Sequence, residues 1–163
     1  LTRHATCLQR FLAVNGRHRR LAIMEIDIRY DCAGVDWGIV SETLKRVGMA
    51  YDEPDVHRRA FEASHTAAFV YHGDRLIGFG RAISDGGYQG AVYDVAIVPE
   101  FQKRGIGTIL MKKILEKLPG CNVILYAAPE KEGFYEALEF RRMKTGMVRF
   151  KNPEKMREKG FTE

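Results

Sequence analysis

The fold is decided by one stretch, Val98-Pro99-Glu100-Phe101-Gln102-Lys103-Arg104-Gly105-Ile106-Gly107-Thr108. The apolar, β-branched residues 91–98 predict a buried strand that ends here. Ile and Leu recur at helical spacing after the stretch, opposite a face of Lys and Glu, which predicts a helix from about Ile106. Such a loop presents unpaired backbone N–H groups at the positive end of a helix dipole. The sequence therefore predicts a phosphate-binding site at this loop. Because Gly105 and Gly107 have no Cβ, the anion could approach the backbone closely at these two positions.

The glycine spacing narrows the kind of phosphate site. No lysine followed by a hydroxyl residue closes the loop, so it is not a P-loop, and Leu110 replaces the third glycine of a dinucleotide fingerprint. The remaining pattern, Gln-x-x-Gly-x-Gly at Gln102, Gly105 and Gly107, resembles the pyrophosphate motif of the GNAT N-acetyltransferases, which bind acetyl-CoA. The loop alone also fits a glycine-bearing helix start without a ligand.

The downstream order of elements strengthens the resemblance. Residues 122–127 predict a second apolar strand, and the family then has a short helix carrying Phe-Tyr, with Gly-Phe about five residues later. Phe134-Tyr135 and Phe140 match this pattern, whereas Glu139 stands where the family usually has glycine. The resemblance covers residues 25–150.

The predicted fold class is α/β with a mixed sheet. The resemblance implies the GNAT acyl-CoA N-acyltransferase fold, a central mixed and twisted sheet of six to seven strands flanked by about four helices. Period, capping and turn signals place strands at 25–30, 67–71, 76–84, 91–98 and 122–127 and helices at 36–47, 54–63 and after 106. The resemblance adds a short helix at Phe134, and a final ribbon is expected at 141–150.

The distribution of charge along the 163 residues indicates how the chain is divided. Residues 1–23 carry five arginines and no acid, and the remaining 21 basic residues equal the 21 acidic ones. Interaction with nucleic acid would therefore rest on this leader alone, so no nucleic-acid partner is expected. We expect a leader at 1–23 that is non-native or flexible, or else an organelle transit peptide, one acetyltransferase domain at 24–152 and a polar tail at 153–163. Part of the leader, around Leu8 and Phe11, also has a weak helical face.

Several partners and compartments are not expected. No apolar run approaches the ~20 residues that span a membrane. Three widely spaced cysteines and five histidines show neither a disulfide framework nor metal-ligand spacing, so we expect no metal and a cytoplasmic protein with reduced thiols. Edge strands of such a sheet would allow a homodimer.

The resemblance implies transfer of the acetyl group of acetyl-CoA to a primary amine by direct attack in a ternary complex. Tyr135 would be the general acid that protonates the leaving thiolate, or a tyrosine packed against the sheet. Asp94, in the motif strand, would be the general base or part of a structural salt bridge; Glu100, Glu132 and water are further choices for the base. The N–H of Ile97 would polarise the thioester carbonyl. The cosubstrate-binding residues would be Val95, Ala96, Ile97, Val98, Gln102, Lys103, Arg104, Gly105, Ile106, Gly107 and Thr108.

The acceptor is less determined by the sequence. The resemblance places its cleft at the first two helices and their connection, where Trp37, Met49 and Tyr51 would form an aromatic wall, or serve as ordinary core anchors. A small primary amine, such as an arylalkylamine or polyamine, is the expected acceptor, with a protein amine as the alternative. A non-catalytic acyl-CoA-binding module and an interaction domain using the arginine leader are the competing functions.

Overall fold

The computed structural model describes residues 7–14 and 21–163 and has a mixed α/β fold. One sheet contains six strands in chain order. The chain divides into two compact units, one ending at Leu125 and the other spanning Tyr126–Glu163. The elements are β1 Cys7–Val14, β2 Leu21–Arg29, α1 Trp37–Arg46, α2 Pro54–Glu62, β3 Thr66–His72, β4 Arg75–Ser84, β5 Gln89–Ile97, α3 Ile106–Leu115, β6 Asn122–Ile124, α4 Glu132–Glu136 and α5 Pro153–Glu158.

The sheet of the first unit is mixed, as predicted. Strands β1 to β5 pair antiparallel in sequence, and β6 returns through α3 to lie parallel to β5. Residues 7–14 of the predicted leader form a strand rather than a helix, and their register runs from Cys7 opposite Ile28 to Val14 opposite Leu21. Strand β2 begins at Leu21, before the predicted domain boundary at residue 24. The non-native origin of residues 1–23 stays a prediction.

Helices α1 and α2 cover one face of this sheet. Val40 and Leu44 of α1 and Phe61 of α2 pack with Phe69 and Phe79 of the central strands, and all five side chains are buried. The predicted start of α1 is confirmed, because Asp36 Oδ1 accepts hydrogen bonds from the N–H groups of the first turn. Such a cap contributes about 1 kcal/mol.

Helix α3 is fixed against the sheet by its apolar stripe. Ile106, Leu110, Met111 and Ile114 are buried, which confirms the helical periodicity after the glycine loop. A Cβ at Gly80 of β4 would lie 2.9 Å from Ile114 Cδ1, so the glycine permits close packing of strand and helix. The N-terminus of α3 is thereby held at the end of β5.

The second unit contains the two short helices α4 and α5. The predicted ribbon at 141–150 is wrong, because these residues form no strand, and all but Phe150 are exposed. A ribbon needs a buried face, and Met147, with 99% of its surface exposed, has none here. The expected tail instead contains α5, where Asn152 Oδ1 accepts from Lys155 N–H. The predicted strand 122–127 is also shorter and ends at Ile124.

Candidate functional site

Strand β5 leaves part of one edge open. It pairs with β4 along most of its length, whereas its ladder to β6 covers only Gln89, Gly90 and Ala91. Beyond Ala91, no strand of the described ranges 7–14 and 21–163 pairs with this edge of β5. The segment Val92–Ile97 therefore offers backbone groups to a ligand that binds as an additional strand.

Hydrogen bonds at the end of β5 show which way its peptide groups point. Val98 N–H donates to Ile77 O of β4 at 2.9 Å. Because neighbouring residues of an antiparallel strand alternate between its two edges, the N–H and carbonyl of Ile97 point away from β4. Gln102 Nε2 donates to Ile97 O at 3.0 Å, in agreement with this direction. The geometry thus directs the Ile97 N–H to the open edge.

The loop after β5 has an unusual backbone. A single helical turn at Pro99–Phe101 leads to Gln102, and Lys103 and Gly105 then adopt φ values of +59° and +80°. Gly105 is the N-cap of α3, and a Cβ built on it would have no atom within 4 Å. Glycine is therefore needed here for its left-handed φ rather than for lack of space.

The first turn of α3 presents its N–H groups beside this loop. Ile109 N–H donates to Gly105 O, so the N–H groups of Ile106, Gly107 and Thr108 precede the first intrahelical bond. No side chain caps this helix within the part of the chain that the structure describes. Left-handed residues next to helix N–H groups that have no intrahelical partner are typical of anion-binding sites in proteins, which makes this loop the candidate site.

Three arginines contact the helical turn Pro99–Phe101 that leads into the loop. Arg104 donates to Glu100 O at 2.9 Å, and its guanidinium lies 5.4 Å from the centre of the Phe101 ring. Arg75 lies 5.1 Å from the same ring, and Arg46 pairs with Glu100 Oε1 at 2.7 Å. The hydrogen bond from Arg46 lowers the pKa of Glu100. The sequence indicated Arg104, but no spacing signal connects Arg46 or Arg75 with this loop.

Asp94 lies at a β-bulge and forms an ion pair. Its φ is +54°, and Arg81 Nε donates to Asp94 Oδ2 at 2.5 Å. Strict alternation of side chains would place Asp94 on one face with Val92 and Ala96, but it holds only for a strand without a bulge, and here the bulge interrupts it. Ala96 stands opposite Phe79 and packs with it in the core beneath α1 and α2. Of the two roles considered for Asp94, the structure contains the salt bridge.

Tyr135 lies in the second unit, on α4. Its ring packs edge-on against Phe134 at 4.9 Å and Phe140 at 6.1 Å, and its carbonyl accepts from Phe140 N–H. Burial raises the pKa of its phenol, which keeps the proton on the oxygen at neutral pH. Glu139, at the usual glycine position, adopts φ +69°, so the turn keeps a glycine-like backbone.

The three residues predicted for the acceptor cleft occupy different surroundings. Trp37 packs edge-on against Phe61 and Phe69, and Met49 also contacts this core. Tyr51 is 55% exposed, and Lys45 Nζ lies 5.7 Å from its ring. Trp37 and Met49 thus have the geometry of core anchors.

The connection between α1 and α2 is held by two hydrogen bonds that the sequence did not reveal. Ser41 Oγ donates to Asp52 O at 2.6 Å, and Asp52 N–H donates to Nε2 of the buried His57 at 2.9 Å. These bonds join the connection to both helices.

The model of the acetyltransferase (GNAT) family matches residues 34–140. The chain belongs to the GNAT acetyltransferase family. It is 32% identical over 127 residues to the chloroplastic serotonin N-acetyltransferase 2 of Oryza sativa subsp. japonica, covering 74% of this chain and 64% of that protein. It is 36% identical over 117 residues to an uncharacterized N-acetyltransferase, ycf52, of Gracilaria tenuistipitata var. liui, covering 70% of this chain and 60% of that protein. A solved GNAT-family acetyltransferase from Streptococcus pneumoniae TIGR4 superposes with a TM-score of 0.65 and 27% identity, over 77% of this chain and 97% of that one.

These comparisons confirm the GNAT fold inferred from the glycine loop. The chain spans about three fifths of the length of the two curated relatives, 64% and 60%. Among the described residues, no group of three or more His, Cys, Asp or Glu side chains could hold a metal ion. None of the helices in the described ranges has the length and apolar character to cross a membrane.

Proposed function

We propose that the chain transfers the acetyl group of acetyl-CoA to a primary amine. The observation that carries this proposal is the anion site at Gln102–Thr108 next to the unpaired edge of β5. The N–H groups of Ile106, Gly107 and Thr108 would bind the coenzyme diphosphate. The open edge of Val95–Val98 would bind the amides of its pantetheine arm, in the manner of a strand.

Groups of the chain, together with solvent water, would meet the remaining requirements of the reaction. The Ile97 N–H would stabilise the negative charge that develops on the thioester oxygen. The amine nitrogen would form a bond to the carbonyl carbon, the carbon–sulfur bond would break, and Tyr135 would donate its phenolic proton to the thiolate and regain a proton from solvent. Because Asp94 Oδ2 is engaged by Arg81, we assign removal of the amine proton to solvent water.

A small arylalkylamine is the proposed acceptor class. The name of the rice relative, a serotonin N-acetyltransferase, supports this choice, as does the exposed Tyr51 ring in the connection after α1. Polyamines and protein amines form the alternatives. A homodimer and a cytoplasmic location stay predictions; the chloroplastic name of the rice relative supports a plastid as the alternative compartment.

Two measurements on the purified chain test this proposal. Calorimetry should detect binding of acetyl-CoA and of CoA, and a thiol-release assay should detect turnover with arylalkylamines. Binding without turnover of any amine or peptide would favour the non-catalytic module, whereas turnover of peptides alone would favour a protein N-acetyltransferase. Absence of binding, in a sample shown to be folded by circular dichroism, would refute the proposal.

A further inference from the structure

The bulge in β5 determines which backbone groups reach the open edge. Where β4 contributes Gly80 alone, β5 contributes both Asp94 and Val95. Two residues opposite one define a β-bulge. Because peptide groups alternate between the two edges of a strand, the inserted residue reverses the alternation for every residue that follows.

Ile97 is the residue for which this reversal matters most. Before the bulge, Tyr93 pairs with Arg81 of β4, and after the bulge, Ala96 pairs with Phe79. Arg81 and Phe79 are two residues apart on β4, so Tyr93 and Ala96 have the same orientation toward that strand. In an uninterrupted strand, Ile97 would share the orientation of Tyr93 and direct its N–H to β4. With the bulge, the Ile97 N–H points instead to the edge where the proposed function requires an oxyanion donor.

We infer that the ion pair between Arg81 and Asp94 holds this bulge, and that Asp94 is a positioning residue rather than the general base. This inference rests on the proposed function only for its effect on catalysis. The two side chains are 18% and 22% exposed, so the pair is largely shielded from water. The Arg81 guanidinium also lies 5.3 Å from the ring centre of Tyr93 and 5.7 Å from that of Phe61. Arg81 thus contacts two aromatic rings while it pairs with the Asp94 carboxylate, and these contacts restrict where the carboxylate can lie.

The neighbouring residues fit the same role. A left-handed φ is unfavourable for residues with a Cβ, but Asp and Asn tolerate it better than most. A Cβ at Gly80 would lie 3.1 Å from Val95 Cγ2, so glycine leaves the space that the bulge occupies. Gly80, Arg81 and Asp94 thus act together on one backbone feature.

Substitutions at the pair separate positioning from base catalysis. Asp94→Asn keeps an acceptor for Arg81 and tolerates the left-handed φ, so kcat should fall by less than about fivefold, with the acidic limb of the pH profile unchanged. Asp94→Gly tolerates the same φ but removes the carboxylate of the ion pair, and Arg81→Met removes its guanidinium. Each should lower kcat on the order of tenfold to hundredfold, and each should also weaken acetyl-CoA binding, because the reversed alternation turns the peptide groups proposed for the pantetheine arm away from the open edge. Their double variant should be no worse than either single one.

The matched control is Arg58→Met, which removes an arginine from the exposed pair with Asp55 on α2 and should leave kcat unchanged. General-base catalysis predicts a different pattern: Asp94→Asn would be as inactive as Asp94→Gly and would lose the acidic limb, whereas Arg81→Met would stay active. That pattern would overturn the inference.

Amide hydrogen exchange tests the inference without turnover. In the wild-type chain the Ile97 amide should exchange fast while the Val98 amide is protected, and in Arg81→Met the protection of Ile97 should rise. Unchanged Ile97 exchange in folded Arg81→Met and Asp94→Gly would refute the positioning role. This outcome is distinct from failure of the proposed function, which wild-type calorimetry with acetyl-CoA would show.

Discussion

Replacing Gly105 with alanine tests the anion site most directly. The substitution adds a Cβ at φ +80°, with no atom within 4 Å, so its effect is conformational rather than a collision within the chain. A left-handed φ costs a residue with a Cβ roughly 1–2 kcal/mol. Because Gly105 is at the exposed start of α3, we expect the loop to relax locally and displace the helix N–H groups.

The strain converts into an expected loss of affinity. If binding has to restore the left-handed φ, the whole conformational cost of roughly 1–2 kcal/mol opposes it, and Gly105→Ala should bind acetyl-CoA about 5- to 30-fold more weakly. Isothermal titration calorimetry with acetyl-CoA and with CoA measures this change. The loss should be equal for the two ligands, because both carry the same diphosphate.

A second glycine provides the matched control for Gly105→Ala. Gly86, in the turn between β4 and β5, has φ +73° and also has no atom within 4 Å of an added Cβ. In a denaturant titration, Gly86→Ala should lower the free energy of unfolding by about as much as Gly105→Ala does. Its affinity for acetyl-CoA should equal that of the wild-type chain. Equal affinities for both variants and the wild-type chain would refute the assignment of the Gly105 loop as the diphosphate site.

Three further predictions concern other parts of the chain. Tyr135→Phe should lower kcat on the order of a hundredfold with little change in the Kd of acetyl-CoA, and an unchanged kcat would remove Tyr135 from the mechanism. Glu139→Gly should relieve a left-handed φ of +69° and raise the stability by about 1 kcal/mol, measured by urea unfolding; a loss of stability would contradict this account. An NMR titration should show Glu100 with a lowered pKa that Arg46→Met raises toward the ordinary value. Because the pKa of Glu100 is lower in the folded than in the unfolded state, the ion pair stabilises the fold slightly at pH values above the unfolded-state pKa, and this stabilisation is lost as the pH falls through the folded-state pKa. A pKa of Glu100 that does not change in Arg46→Met would exclude the ion pair as the cause.

The parts of the fold that the sequence predicted have local signals. The end of β5, the glycine loop and α3 follow one another within a short segment, where hydrophobic period and glycine spacing are sufficient. Asp36 likewise marks the start of α1, because a cap acts on the residues immediately after it. The GNAT resemblance then supplied the order of the remaining elements.

The features that the sequence missed depend on pairing between distant segments. The bulge at Asp94 is invisible in the alternation of β5, because it arises from Gly80 and Arg81 on the neighbouring strand. The contact of Arg75 with Phe101 and the pair of Arg46 with Glu100 also join separate elements. The segment 141–150 contains Thr145, Val148 and Phe150, which are residue types common in strands, but residue type does not specify whether a partner strand is available.

The three-residue ladder between β5 and β6 also affects the behaviour of the chain before any cosubstrate binds. A ladder of three residue pairs leaves amides and carbonyls unpaired along the rest of this edge of β5, where the strand of another polypeptide could add itself. A bound coenzyme would occupy this seam and protect it from foreign strands. We therefore expect the folded chain to aggregate less with acetyl-CoA bound than without it.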